Sequence, residues 1–351
     1  MIDETSFNWE VPGMPPLEGD PFELVRSSCA HAVPVARDVS IDEATLRQFM
    51  ARLDHGVVRE ILASPLGENC DTLPGDFRSA REAANFALLF CLLQFGHGFR
   101  HDLHRLCGRG ASQTITLGVR SLCATGGLGA TRLQTLTLTE IREAFQLPDD
   151  PVLAMFAQQL HGVASQAGRF LVERGMIDFA AFCQQILNTP EAKQLPAASL
   201  VRQLANHFPA FNDQGILHNG FRVVLLKKAT LAIGELRRLA APHDASYDFS
   251  PDGCRAVAPV DNVIPAVLVY HGVLRLSPAF HQAIHGQQVP LPRGPQEAEL
   301  RAVALAACEQ MVAIAAGAFT ALDLGYYLWR SGKTPEVRQF ARHHTKDTVF
   351  Y

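Results

Sequence analysis

The chain has 351 residues, 48% of them hydrophobic, with a formal net charge of −4 and a pI near 6.4. Length and apolar content together supply a sizeable core, while the mild acidity argues against a general grip on a nucleic acid polymer, which needs a basic face. Eight cysteines, at 29, 70, 91, 107, 123, 183, 254 and 308, include no Cys-x-x-Cys pair, so buried thiols in a reducing, cytoplasmic compartment are expected in place of a disulfide framework.

Residues 1–22 are acidic and proline-bearing, with no basic stretch and no apolar run, and predict a loose lead-in with no secretory signal. One compact helical domain, or two closely packed lobes, is expected over 23–351. Ser40 and Asp42 are cap-like and precede Leu46, Phe49, Met50 and Leu53 at helical spacing. The apolar run Ala83–Phe95 lacks Gly and Pro and predicts a buried helix. Thr, Leu and Gly crowd Thr114–Leu138, and a short β element or an irregular segment is expected near 112–138. Val152, Phe156, Leu160, Val163, Ala167 and Leu171 make one long apolar stripe. Shorter helices are expected at Phe179–Leu187 and Ser199–His207. Arg222–Leu239 follows, with Leu226, Thr230, Ile233, Leu236 and Leu239 inward. Asp261–Leu274 has Pro265 near its start, where a missing amide costs little. The most apolar stretch, 302–322, holds Glu309 and Gln310 at its centre and predicts a core helix over Leu300–Leu322, not a membrane span. Tyr326–Trp329 closes the series. No internal repeat interrupts it, and the fold class is all-α, predominantly helical.

Several groupings have the residue types that chemistry needs. His97, His101 and His104 would share a helix face and suffice for an open zinc site, but Gly96 and Gly98 disturb the helix and no Glu accompanies them, so no metal is expected. The Gly-rich string Thr125–Thr131 lacks the Lys-Ser/Thr ending of a phosphate loop and predicts a flexible turn. The tight cationic group Arg222, Lys227, Lys228, Arg237 and Arg238 suits a small phosphorylated ligand better than a polymer. Asp261 stands at a helix start, where free backbone amides stabilise a carboxylate; from position alone it suits an N-cap as well as a reactive anion. Glu297, Glu299 and Arg301, packed close together on one predicted helix, predict a structural ion network. Tyr326, Tyr327 and Trp329 hold two of five tyrosines and one of two tryptophans; such rings either sandwich a heterocyclic base or fill the core.

Strings spread in order from residue 37 to the last residue resemble the queuosine salvage family. They are Arg37-Asp38-Val39-Ser40-Ile41-Asp42, Phe208-Pro209-Ala210-Phe211-Asn212-Asp213 and Arg222-Val223-Val224-Leu225-Leu226-Lys227-Lys228-Ala229, then Val260-Asp261-Asn262-Val263-Ile264-Pro265-Ala266-Val267-Leu268. Gln296-Glu297-Ala298-Glu299-Leu300-Arg301, Tyr326-Tyr327-Leu328-Trp329 and the terminal His343-His344-Thr345-Lys346-Asp347-Thr348-Val349-Phe350-Tyr351 follow. The resemblance implies a helical body similar to DNA glycosylases, an analogy of fold that assigns no function by itself. It also implies a hydrolase that frees queuine, or a related 7-deazaguanine base, from its nucleotide for salvage into tRNA modification. Asp261 would be catalytic. Asn262, Lys227, Lys228, Tyr326, Asp323, Trp329, Gln94 and Phe95 would contact substrate, either Lys227 or Lys228 holding the 5′-phosphate. A small-molecule nucleotide or nucleoside is the expected partner, with no cofactor, no nucleic acid polymer and no membrane.

This sequence also departs from the family pattern. Cys91 and Gln94 stand, beyond Asn85-Phe86, where an acid and an Asn are expected. Pro259 replaces an aromatic residue two before Asp261, and Gly325 and Arg330 replace acids flanking the Tyr-Tyr-Leu-Trp string. A missing polar partner in a pocket changes selectivity strongly. The alternative expectation is therefore a non-catalytic nucleobase- or nucleotide-binding protein derived from the same fold.

Overall fold

The computed structural model describes residues 13–61, 77–250, 252–286 and 290–351; the first twelve residues of the expected lead-in lie outside it. The rest of that lead-in is tied down. Leu17 is buried, its N–H donates to Asn206 Oδ1 at 2.7 Å, and Asn206 Nδ2 donates back to Leu17 O at 3.0 Å. Asp20 then accepts from the amides of Phe22 and Glu23, Pro21 occupies the first turn, and a helix not expected from the sequence, Pro21–Val35, buries Phe22, Val25, Cys29 and Ala32.

The described residues are predominantly helical, as composition and periodicity predict. Glu43–Arg52 starts on an Asp42 cap, Ala80–Leu92 on a Ser79 cap, and the 23-residue helix Pro151–Glu173 on Asp150 followed by Pro151. Phe179–Leu187 and Pro196–His207 follow. Four three-residue strands make two small antiparallel pairs, Val39–Ile41 with Leu274–Leu276 and Gln214–Ile216 with Arg222–Val224.

Further expectations are corrected. The helix expected over Asp261–Leu274 spans only Val263–Tyr270, because Leu274–Leu276 pairs as a strand with Val39–Ile41. No β element lies near 112–138: the segment forms the helices Ala111–Gly126 and Ala130–Gln134 and the start of Leu138–Ala144. Ile115, Val119 and Leu122 share its buried face, and the hydroxyls of Thr114 and Thr116 bond the carbonyls of Gly110 and Ser112 one turn back, which lets β-branched residues serve in a helix. The helix expected from Arg222 begins at Lys227 instead, because Arg222–Val224 pairs as a strand and Leu226 turns the chain with φ +51°. The helix expected over Leu300–Leu322 is two helices, Pro295–Ala315 and Ala321–Ser331, separated where Ala316 and Gly317 adopt positive φ. No helix of the described residues is long and apolar enough to cross a membrane.

Helices pair face to face around a continuous core: Ala80–Leu92 on Lys227–Leu239, Pro21–Val35 on Pro295–Ala315, and Val263–Tyr270 on Ala321–Ser331. The last pairing depends on two glycines two turns apart. A Cβ on Gly325 would lie 2.6 Å from Pro259 Cδ, and one on Gly332 would lie 2.3 Å from Val263 Cγ1. Two of the departures from the family pattern, Pro259 and Gly325, are thus one contact: the proline ring occupies the space a side chain at 325 would need. Gly332→Ala should lose about 1–3 kcal/mol in urea unfolding by overpacking this seam, and a loss under ~0.5 kcal/mol would contradict the close fit.

The cysteines of the described residues are free thiols. Burial pushes Cys29 and Cys123 up to about 12, which keeps them protonated.

Candidate active site

Asp261 follows a buried, irregular approach, Ala256–Val260, and precedes the helix Val263–Tyr270. Its Oδ1 accepts from the amides of Val263 at 2.7 Å and Ile264 at 3.3 Å, the free donors of that first turn. Its Oδ2 makes no hydrogen bond among the described residues, although the residue is only 8% exposed. The side chain therefore divides its work, one oxygen capping the helix and the other left open beside two cations. Lys227 and Arg342 are the positive groups on which Asp261 acts.

A buried ion network fixes the backbone that delivers Asp261. Arg301, 1% exposed, pairs with Asp213 and with Glu297, one turn before it, at 3.1 Å. The same guanidinium donates to Val260 O at 3.1 and 3.3 Å and stacks on the Tyr351 ring at 3.8 Å. Glu299 faces elsewhere, accepting from the amides of Asp38 at 2.6 Å and Val39 at 2.9 Å, which anchors the first strand. Burial raises Glu297 above the usual carboxylate range, against the pull of Arg301.

Lys227 and Lys228 open their helix right after the left-handed Leu226, whose amide, like that of Leu225, donates to Asp213 O. Lys227 Nζ donates to Gln94 O at 3.2 Å and keeps donor capacity toward Asp261. Lys228, wholly buried, donates to the carbonyls of Leu92 and Val349 and lies 5.1 Å from the Phe95 ring centroid. It joins the carbonyl end of the Ala80–Leu92 helix to the last residues of the chain. Burial and the neighbouring Lys227 hold its amine well below the usual lysine range. Gln94 keeps a buried Nε2 without a partner, and Phe95 is core, edge-on to Phe156.

The terminal segment closes over this assembly. Asn262 Nδ2 donates to His343 O at 3.1 Å. His97 Nδ1 lies 3.1 Å from Tyr351 O and its Nε2 accepts from Thr345 N at 3.2 Å, partners that assign a neutral imidazole protonated at Nδ1. Both nitrogens of His97 are spent, so the His97, His101, His104 set does not converge; no group of three metal-ligating side chains does so among the described residues. Burial pushes His344 down to about 4 and His343 to about 3, and it lowers His97 strongly.

Those depressed values set a pH dependence. Below the ordinary histidine value of 6.5 the unfolded chain takes up protons that the folded chain refuses, so stability must fall with pH. Between about pH 6.5 and pH 4, each of these imidazoles should remove about 1.4 kcal/mol per pH unit. Urea midpoints from pH 7.5 to 4.5 check this; a flat profile would mean that the terminal segment is not packed as described.

The other expected substrate contacts form a second group. Tyr326 donates to Glu235 Oε1 at 2.6 Å, and Glu235 Oε2 accepts from Arg238 at 2.7 and 3.1 Å. Burial, then Glu235, raises the Tyr326 hydroxyl well above its usual range. Glu235 lies eight residues beyond Lys227, about 12 Å along the helix. Asp323 is occupied as a cap, accepting from Thr320 N and Oγ1 at 2.9 and 2.7 Å. Trp329 packs against the core with Lys333 4.1 Å over its ring. Asp261, Asn262, Lys227 and Gln94 are thus brought together, while Tyr326, Asp323 and Trp329 line the neighbouring helix. Glu235 and Arg342 are not evident in the sequence. An acid falling between Ile233 and Leu236 on the buried face of its helix was the available signal for the first; Arg342 had none beyond adjacency to His343.

A buried carboxylate with one open oxygen, beside a lysine and an arginine in a helical body, defines a site able to stabilise a cationic reacting centre. The chain belongs to the queuosine salvage protein family, whose model matches residues 122–351. It is 27% identical over 223 residues, 62% of this chain and 68% of the relative, to the queuosine 5′-phosphate N-glycosylase/hydrolase of Sphaerobacter thermophilus.

Proposed function

We propose that this chain hydrolyses the N-glycosidic bond of a nucleotide with a 7-deazaguanine-type base, queuosine 5′-phosphate or a close relative, releasing the free base for salvage. The observation that supports this best is the open Oδ2 of Asp261, held in a family member by a backbone that Arg301 fixes on one side and a helix start on the other. As the C1′–N bond breaks, its electron pair leaves with the base and positive charge gathers at C1′. An anion fixed in advance stabilises that charge, or captures it as an ester, without reorganising. Water then adds at C1′ and its proton balances the departing base. Lys227, near Asp261, supplies a positive countercharge beside the carboxylate. The reaction calls on no cofactor.

A second reading, a nucleotide-binding protein without chemistry, is favoured by the Pro259–Gly325 contact, which fills space that the family pattern gives to an acid. A base-release assay with queuosine 5′-phosphate, run beside calorimetry with the same nucleotide and with queuine, separates the two. Release supports the glycosidase; binding with no release supports the second reading; neither event overturns both.

A further inference from the structure

Between Asp261 and Glu297 the chain has no Asp or Glu, and from Gly325 to Thr345 its one acid, Glu336, stands among Arg330, Lys333, Arg338 and Arg342. These two acid-poor stretches are packed together. A Cβ on Gly332 would lie 2.3 Å from Val263 Cγ1 and 3.2 Å from Val267 Cγ2, and Arg342 donates to Gly332 O. At the surface they bring rings from three segments into a ladder. Tyr270, 41% exposed at the end of the helix Val263–Tyr270, meets Phe340 edge-on with centroids 5.6 Å apart. Phe340 packs on His285 at 4.6 Å, and His285 stacks on His281, one turn earlier in the helix Pro278–His285, at 4.2 Å and 12°. Tyr270 and His281 are exposed, while Phe340 and His285 are half-buried. Burial lowers His285 below the usual histidine value, so its ring is a neutral π surface at neutral pH. Arg338 is exposed in the turn that leads into Phe340; Arg275, in the first stretch, is already paired with Asp42.

We propose that Tyr270, Phe340, His285 and His281, with Arg338, form a docking platform for single-stranded nucleic acid, outside the Asp261 site. Every base has a π face that stacks on an exposed ring whatever the sequence, and the phosphates between bases need cations without competing carboxylates. This face has both properties. The overall charge of −4 conceals it, because the acids are concentrated elsewhere in the chain. Two copies of one cation-bearing face repel each other, which favours a polyanion over self-association. The platform lies at the far end of the helix whose first turn Asp261 caps, about 12 Å along its axis. A bound strand therefore lies beside the candidate active site and not within it. The platform goes beyond the proposed function and stands whether or not the chain cleaves a nucleotide.

Fluorescence anisotropy with a labelled uridine dodecamer, a thymidine dodecamer and an RNA duplex of the same length tests this at low and at physiological salt. Both single strands should bind more tightly than the duplex, whose paired bases offer no free face. Tyr270→Ala, at an exposed position, should weaken strand binding about 5- to 100-fold, with circular dichroism unchanged. Arg338→Gln should reduce the slope of log K against log salt by about 0.7, the share of one phosphate contact on a single strand. No strand binding at low salt, a duplex bound as tightly as the single strands, or affinities unchanged in both variants overturns the proposal. So does a dimer in sedimentation velocity that Tyr270→Ala dissolves, which would assign the face to a second copy of the chain.

Discussion

Asp261→Asn should lower base release from queuosine 5′-phosphate by about 100- to 1000-fold or more, with the fold intact and the nucleotide still bound. Asparagine keeps an oxygen at the Oδ1 position, so the hydrogen bonds from Val263 and Ile264 survive, and Asn caps helices about as well as Asp. What disappears is the negative charge on the open oxygen. Lys227 and Arg342 lose a countercharge in the same change, which should cost modest stability and tighten the binding of anions. Single-turnover product analysis gives the rate and calorimetry gives the affinity. Turnover within about threefold of the wild type would remove Asp261 from the mechanism.

Arg301→Met should be the most destabilising single change near the site, about 3–5 kcal/mol in urea unfolding. Arg301 is 1% exposed and holds Asp213 and Glu297, both buried, so its removal leaves two carboxylates without a cation. Val260 O loses its donors and the Tyr351 ring its stacking partner. Since Asp261 follows Val260 directly, activity should fall with stability. The triple variant Asp213→Asn, Glu297→Gln, Arg301→Met should recover part of the stability, because amides cost less to bury than unpaired carboxylates. A loss below about 1 kcal/mol for Arg301→Met would mean that water reaches the network and the terminal segment is not sealed over it.

Much of the fold is legible in the sequence because helical periodicity is a local property. The stripe from Val152 to Leu171 reads directly as Pro151–Glu173, and the apolar run from Ala83 as Ala80–Leu92. The thresholds between elements are less legible. Thr-rich 112–138 forms helices because packing of Ile115 and Val119 overrides β propensity, and Arg222–Val224 is a strand because Gln214–Ile216 lies beside it. The first outcome depends on helices brought in from elsewhere in the chain, the second on a hairpin partner just upstream.

Of the candidate site, the sequence by itself determined the family strings, the position of Asp261 at a helix start, and the character of Glu297 and Arg301 as an ion network. Only the tertiary structure decided how Asp261 divides its two oxygens, that Lys228 spends itself on two carbonyls while Lys227 donates to one and lies within electrostatic range of Asp261, that Asp323 is a cap, and that Arg342 keeps a buried, unspent donor. The reason is physical. A side chain's chemistry depends on its partners and its access to water, and in this protein those partners come from segments as far apart as Leu92 and Val349, which meet only when the chain is folded.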